Sequence, residues 1–228
     1  LLPHLSEKTK QAATKLNEKI GAEEETQVYN LSELDTPQRI FVDTILEWTQ
    51  QCIESKKQNY PFPPLKMKLL GVAGTGKSRT IKTIIQEFKR LIQLSGLEEE
   101  DHGSIVLCAP TGVAAFNIGS GAASIHKTFN IPVKGKFTDL TGDAQERLES
   151  DFKNAWLVII DEISMVGCEL FAKVNERLIQ AKLDQNSTLV NLHKDQTLLK
   201  PSFGGTGVII CGDFAQLVPI MQQSLMDN

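Results

Sequence analysis

The stretch Gly71-Val72-Ala73-Gly74-Thr75-Gly76-Lys77-Ser78 decides the fold of this chain. Its spacing is G-x-x-x-x-G-K-[ST]: the glycines let backbone N–H groups close around a phosphate, the lysine reaches the β- and γ-phosphates, and the hydroxyl can ligate Mg²⁺. A short apolar strand is predicted before it at 67–70, and apolar residues recur at helical spacing after it, from Ile81 to Ile92. The stretch therefore predicts a nucleoside triphosphate site between a strand and a helix.

Composition and charge bound the class of protein. With 228 residues, of which 41% are hydrophobic and 23% charged, the chain can form one large globular domain, alone or with an extension. A net charge of −4 gives no global signal for nucleic acid, so such binding must come from a local surface. The four cysteines form no C-x-x-C pair, which favours reduced thiols in an intracellular protein over a zinc site. No apolar run approaches the roughly 20 residues of a membrane span.

A second chemical signal follows the apolar run 156–160, which ends in Asp161 and Glu162. Asp161 would hold Mg²⁺ through water, and Glu162 would polarise the attacking water as a general base. The alternative is a strand that merely ends in solvated acids. The phosphate-binding loop earlier in the same chain favours the catalytic interpretation.

Two further apolar runs, 104–109 and the one beginning at Gly207, also end in polar residues. In the second run, Asp213 and Gln216 could sense the γ-phosphate. All four predicted strands thus end where a ligand would lie, because ligands of parallel α/β sheets gather at the carboxyl ends of the strands. The pattern predicts a doubly wound α/β fold with its site along that edge.

Gln38 lies in the first turn of a predicted helix in which Asp35 or Thr36 is the N-cap and Pro37 is the first residue. We expect its amide to be exposed and free, so that it could donate to and accept from an adenine edge at once. The alternative is an ordinary surface glutamine. Its place upstream of the phosphate-binding loop favours adenine.

A nucleic-acid contact is predicted beyond the strand 104–109. The small residues at 110–112 and the N–H groups of a following helix could hold a phosphate of another polyanion, although a simple strand-to-helix turn fits as well. Residues 117–137 are predicted to be a long ordered loop with a short helical piece around 124–129. Lys127, Lys134 and Lys136, with Phe129 among them, have the charge and aromatic content of a single-strand contact, but composition alone favours it no more than an ordinary surface loop.

Taken together, the motifs resemble one family. These motifs are Gln38 and the stretches 71–78, 109–112, 124–126, 161–165 and 212–217. Over about residues 34–220 they resemble the first RecA-like domain of the PIF-type superfamily-1 DNA helicases, Helitron-like members included. The resemblance implies a RecA-like P-loop NTPase, with a mostly parallel sheet and helices on both faces. It also implies an enzyme that hydrolyses ATP to move 5′ to 3′ on single-stranded DNA and to unwind duplexes and forks, in repair, recombination and telomere maintenance. One departure is Leu217-Val218-Pro219, where family members often have Leu-Pro-Pro.

The resemblance also assigns roles to residues of this chain. The implied catalytic residues are Lys77, Asp161, Glu162 and Gln216. The implied nucleotide-binding residues are Gln38, Gly71, Ala73, Gly74, Thr75, Gly76, Lys77, Ser78, Arg79, Asp213 and Gln216, with Ser78 and Asp161 holding Mg²⁺. The implied DNA-binding residues are Pro110, Thr111, Gly112, His126, Lys127 and Phe129.

These motifs imply a domain organisation. Residues 1–34 are expected to be an N-terminal extension or linker, and 35–228 the first helicase domain. A second RecA-like domain with its transition-state arginine is expected outside this chain, so the chain alone should bind ATP, hydrolyse it slowly and separate no strands. Such an arginine contributes roughly 10³ to 10⁵ in turnover. Two alternatives stay open: a nucleic-acid-binding remnant without turnover, and a regulatory P-loop ATPase that does not touch DNA. An intracellular location is expected, nuclear in a eukaryote.

Overall fold

The computed structural model describes residues 28–182, 201–215 and 224–225. The strands are Lys66–Leu70 (β1), Ser104–Ala109 (β2), Ala123–Ser124 (β3), Ala155–Ile160 (β4) and Gly207–Gly212 (β5). The α-helices are Thr36–Gln58 (α1), Lys77–Leu94 (α2), Gly112–Ile118 (α3), Ile125–Thr128 (α4), Asp143–Phe152 (α5) and Cys168–Lys182 (α6). Short 3₁₀ turns lie at Leu31–Glu33, Glu99–Asp101, Ile163–Met165 and Ser202–Gly205.

The described strands form one five-stranded sheet in the order β1-β5-β4-β2-β3, and every pair is parallel. β4 lies in the middle and all six of its residues are buried, as expected for a strand covered on both faces. β1 lies at one edge and its residues alternate between exposed and half-buried. The predicted α/β fold with a parallel sheet is confirmed.

Helices cover both faces of the sheet. Alternate residues of β4 point to opposite faces, so Leu157 and Ile159 join one buried cluster and Val158 and Ile160 join the other. The first cluster contains the apolar faces of α1, α2 and α3, and the second those of α4, α5 and α6. The predicted two-layer covering of the sheet is therefore confirmed.

The segment 117–137 is only partly as predicted. The short helix appears as α4, but β3 precedes it and pairs with the end of β2, with Ala123 opposite Cys108 and Ser124 opposite Ala109. The loop interpretation is wrong at these two positions and at residues 117 and 118, which are the last two residues of α3. A strand of two residues is too short to show an alternating pattern, so sequence periodicity could not reveal it.

The parallel arrangement gathers the strand ends at one edge. The phosphate-binding loop follows β1, Pro110 follows β2, Asp161 follows β4 and Asp213 follows β5. Two hydrogen bonds extend the sheet beyond the strands: Gly71 N donates to Gly212 O at 3.1 Å, and Asp161 N donates to Cys108 O at 3.0 Å. The first residues of the candidate site are thus held by the sheet backbone.

Residues 29–34 lie against α2, although the sequence placed them in an N-terminal extension. The backbone of Tyr29 is held by Gln86 of α2: Tyr29 N donates to Oε1 at 2.9 Å and Nε2 donates to Tyr29 O at 3.1 Å. Leu31 and Leu34 pack against the first buried cluster. Residues 29–34 therefore pack onto the described fold.

α1 is the longest at 23 residues, yet its sequence holds charged residues along its length. Within residues 28–182, 201–215 and 224–225, no helix combines the length and apolar character that crossing a membrane requires.

Candidate nucleotide and nucleic-acid site

The phosphate-binding loop has the backbone geometry that its glycines permit. Gly74 and Gly76 have φ angles of 81° and 78°, a region in which a side chain would meet the backbone. Thr75 closes the turn: its hydroxyl donates to Val72 O at 2.8 Å. α2 begins at Lys77, so its first N–H groups and the positive end of its dipole face the loop.

Lys77 folds back over this loop. Its Nζ donates to Gly71 O at 2.5 Å and to Val72 O at 3.0 Å. The loop therefore brings together backbone N–H groups, an ammonium group and the exposed hydroxyl of Ser78. This donor set fits a nucleoside triphosphate.

Ser78 and Asp161 offer one hydroxyl and one carboxylate, oxygen ligands that suit Mg²⁺ and leave most of an octahedral shell to water and phosphate.

The charges of three side chains, Lys77, Asp161 and Asp213, act on the carboxyl group of Glu162 at the carboxyl edge of the sheet. Burial raises the pKa of the Glu162 carboxyl, the negative charges of Asp161 and Asp213 raise it further, and Lys77 lowers it. A carboxylate with a raised pKa is a better proton acceptor near neutral pH than an ordinary glutamate. The edge thus combines a cation, two acidic residues and a candidate base.

The backbone of Glu162 is strained. Its φ and ψ are 53° and 44°, a left-handed conformation that costs a residue with a side chain roughly 1–2 kcal/mol. Its N–H donates to Asp161 Oδ1 at 2.9 Å, and its C=O accepts from Met165 N at 3.0 Å. The conformation turns the chain sharply after β4, and strained residues of this kind cluster at functional sites. Asp213 Oδ1 accepts from Ala215 N at 3.0 Å, while Gln216 lies outside the described residues.

Gln38 is not free, which corrects the sequence interpretation. Asp35 Oδ1 accepts from Gln38 N at 2.8 Å and Gln38 Oε1 accepts from Asp35 N at 3.2 Å, which is a capping box. The remaining amide group, Nε2, donates to Thr75 O at 2.8 Å. Gln38 therefore joins the start of α1 to the phosphate-binding loop. The D-x-x-Q spacing in the sequence could have indicated the capping box, and adenine recognition stays a prediction.

Arg79 was predicted to bind nucleotide, and it forms an ion pair with Glu33. Both side chains are partly exposed, with 45% and 43% of their surface accessible, so the pair contributes little to stability. With the Tyr29–Gln86 contacts, this pair lies between residues 29–34 and α2. The predicted nucleotide contact of Arg79 stays a prediction.

Gly76 gives a test of how tightly Gln38 is held. A Cβ on Gly76 would lie 2.7 Å from Gln38 Nε2, whereas one on Gly74 would meet no atom within 4 Å. Gly74→Ala should lower the free energy of unfolding by about 1–2 kcal/mol because of its φ angle. Gly76→Ala should cost about 1 kcal/mol more, because Gln38 must give up its bond to Thr75. Urea unfolding measures both costs.

The matched control repeats Gly76→Ala in a Gln38→Ala background. There the cost should fall to that of Gly74→Ala, because the obstructed side chain has gone. An equal cost of Gly76→Ala in both backgrounds would contradict this contact.

The predicted DNA-binding residues lie at the ends of β2 and β3. Thr111 is the N-cap of α3, and its hydroxyl oxygen accepts from Ala114 N at 3.1 Å. Ser124 is the N-cap of α4, and its hydroxyl oxygen accepts from Lys127 N at 3.4 Å. Since β2 and β3 are paired, these two capped turns are neighbours. Pro110 is half-buried, and Gly112 and the side chain of Lys127 are exposed.

His126 and Phe129 are held within the fold. His126 Nδ1 lies 3.1 Å from Ile131 O, so Nδ1 carries the hydrogen in this contact because a carbonyl only accepts. The Phe129 ring is fully buried and stacks on Phe152, with 5.2 Å between ring centroids. The prediction that Phe129 contacts DNA is wrong, because its ring belongs to the second buried cluster. A buried core aromatic and an exposed one look alike in composition.

The basic loop after α4 is anchored to α6, a feature that the sequence did not indicate. Buried Arg177 donates to Thr138 O at 2.8 Å and lies 4.2 Å from the centre of the Phe137 ring. Gln180 Nε2 donates to Leu140 O at 2.7 Å, and its Oε1 accepts from Leu140 N at 3.2 Å. The exposed lysines Lys134 and Lys136 therefore extend from a fixed base.

Comparison with known proteins points to one family. The sequence model described as PIF1-like helicase matches residues 35–227. ATP-dependent DNA helicase PIF3 of Trypanosoma brucei brucei is 30% identical over 195 residues, which cover 84% of this chain and 20% of that protein. ATP-dependent DNA helicase RRM3 of Saccharomyces cerevisiae is 35% identical over 158 residues, which cover 67% of this chain and 18% of that protein.

One human protein and one solved structure point to the same family. ATP-dependent DNA helicase PIF1 of Homo sapiens is 33% identical over 156 residues, which cover 68% of this chain and 20% of that protein. A solved structure described as the basis for DNA unwinding at forked dsDNA by two coordinating Pif1 helicases aligns with a TM-score of 0.51 at 25% identity, covering 77% of this chain and 35% of that chain. The chain thus spans at most 20% of the length of these curated relatives. All the predicted site residues lie within the matched range 35–227.

Proposed function

This chain belongs to the PIF1-like helicase family, and from that premise we propose that it is the first RecA-like motor domain, 35–228, of an ATP-dependent DNA helicase. The observation that carries the proposal is the meeting of Lys77, Asp161, Glu162 and Asp213 at one sheet edge beside the phosphate-binding loop. A cation for phosphate and a base for water are the parts that triphosphate hydrolysis needs.

In this proposal each residue has one task. Lys77 exchanges its bonds to Gly71 O and Val72 O for the β- and γ-phosphates of ATP. Ser78 and Asp161 would hold Mg²⁺, which when bound supplies charge neutralisation at the phosphates. Glu162 accepts the proton of the attacking water, helped by its raised pKa. Asp213 and Gln216 sense the γ-phosphate.

DNA would lie along the turns after β2 and β3. The backbone at Pro110–Gly112, the imidazole of His126 and the ammonium group of Lys127 would contact the sugar–phosphate chain of single-stranded DNA. Movement from 5′ to 3′, action on forks, and roles in repair, recombination and telomere maintenance follow from the family resemblance. We include these finer properties in the proposed function.

Strand separation needs more than this chain. Motors of this kind close two domains on the nucleotide, and an arginine from outside the first domain adds roughly 10³ to 10⁵ in turnover. We propose that a second RecA-like domain of the full-length protein supplies that arginine.

The test compares the full-length protein with the 228-residue chain. The full-length protein should hydrolyse ATP faster when single-stranded DNA is added, and should separate a duplex with a 5′ overhang rather than one with a 3′ overhang. The chain alone should bind ATP and separate neither. Full-length protein without DNA-stimulated ATP hydrolysis would contradict the motor, and unwinding by the chain alone would contradict the division into two domains.

A further inference from the structure

One exposed aromatic side chain stands beside the candidate DNA site. Phe116 on α3 has 59% of its surface exposed, and Val113, one turn earlier on the same face, has 74% exposed. The opposite face of α3 is buried through Ala115 and Ile118. All other phenylalanines of the described residues are buried or half-buried. An apolar pair left on the surface of a short, well-packed helix is therefore a feature to explain.

The position of α3 indicates the contact. The helix begins directly after the turn at Thr111, at the carboxyl end of β2. It also packs against β3, which leads into α4 with His126 and exposed Lys127. An exposed aromatic ring thus belongs to the same sheet edge as an exposed cation. Rings that stack on bases and cations that contact phosphates are the two elements of single-strand binding surfaces.

We propose that Phe116, flanked by Val113, stacks on a nucleobase of the single-stranded DNA. The inference rests on the proposed function and adds a base contact to a site described so far by backbone and charge. Phe116 would supply the aromatic contact with DNA that the sequence analysis expected of Phe129, whose ring is buried. Because every base has a flat aromatic face, this contact binds bases of any sequence, as a motor moving along DNA requires.

The experiment measures binding of a fluorescently labelled oligonucleotide to the full-length protein by anisotropy. Phe116→Ala should weaken binding by between about fivefold and 100-fold. Phe116→Trp should restore most of the affinity because a ring is present, whereas Phe116→Leu should not. The control is Leu94→Ala, since Leu94 is 71% exposed at the far end of α2 and away from the site. This variant should bind as the wild type does.

Two further comparisons separate stacking from other contacts. On an oligonucleotide of abasic sugars, wild type and Phe116→Ala should bind almost equally, because no base is left to stack. Phe116→Ala should leave the salt dependence of binding unchanged. Lys127→Ala should instead reduce the slope of that dependence by about 0.7, because one ammonium–phosphate pair is removed.

The outcomes distinguish this inference from the proposed function. If wild type binds single-stranded DNA and Phe116→Ala binds it equally well, the stacking contact is excluded while the motor stands. The same holds if the loss of affinity is equal on ordinary and abasic DNA, since the ring would then act on something other than a base. If the wild type binds no single-stranded DNA at all, both proposals fail.

Discussion

Lys77→Ala in the full-length protein should lower the rate of ATP hydrolysis by about 10²- to 10³-fold, the usual effect of removing one positioned electrostatic group from a reaction site. Lys77 lies at the start of α2 within the phosphate-binding loop, and its ammonium group bonds only backbone oxygens of that loop among the contacts described, Gly71 O and Val72 O. The fold should persist, because those bonds lie at the surface edge of the sheet. Steady-state ATP hydrolysis and thermal unfolding by circular dichroism measure the two effects.

Two matched variants sharpen the Lys77 experiment. Lys89→Ala removes an exposed lysine from the same helix and should leave turnover unchanged. Lys77→Arg keeps the charge but replaces a compact ammonium group by a larger, planar guanidinium group. Most of the loss in the rate of ATP hydrolysis should therefore remain. Turnover that survives in Lys77→Ala would remove the loop from the catalytic site and with it the proposed motor.

Glu162→Gln should lower ATP hydrolysis by about 10²- to 10⁴-fold, the range for loss of a positioned general base. The amide has nearly the same shape but does not accept a proton from water. The same change should leave the protein at least as stable at neutral pH. Because the pKa of Glu162 is raised in the fold, its ionised form is disfavoured there, and stability is lost as the pH rises from the ordinary glutamate pKa through the raised one. The uncharged glutamine avoids that loss.

The pH dependence of turnover tests the cause of the raised pKa. As the pH falls, activity should decline at a higher pH than an ordinary glutamate would give, since Glu162 takes up its proton earlier. Asp213→Asn removes one of the negative charges that raise the pKa, so the decline should move to lower pH whatever its effect on the maximal rate. Glu162→Gln with near-normal turnover, or a decline that stays in place in Asp213→Asn, would assign the base to another residue.

The parts of the fold that depend on local patterns were predictable. The loop 71–78 requires its glycines and lysine in sequence, and a strand buried on both faces, such as β4, must be apolar throughout. Parallel pairing then places the ends of β1, β2, β4 and β5 at one edge. The backbone of the candidate site follows from these rules, which place Lys77, Asp161, Glu162 and Asp213 along one edge of the sheet.

The parts that depend on contacts distant in sequence were not predictable. Phe129 and Phe116 are both apolar residues in helices next to the site, and only packing shows that the first is buried and the second exposed. Arg177 is a charged residue that the sequence would place on the surface. It is buried because Thr138 O accepts its guanidinium hydrogen and Phe137 covers its face. Such partners lie far along the chain, where periodicity carries no information.

The order of strands also sets the distance over which the two ligands could influence each other. β1, β5 and β4 lead to the candidate nucleotide residues, while β2 and β3 lead to the candidate DNA residues. The border falls between β4 and β2, where Asp161 N donates to Cys108 O. Neighbouring strands are only about 4.8 Å apart. In the proposed motor, a shift of Asp161 on hydrolysis would therefore reach the backbone of the candidate DNA residues through a single hydrogen bond, because the two candidate sites are only one strand apart.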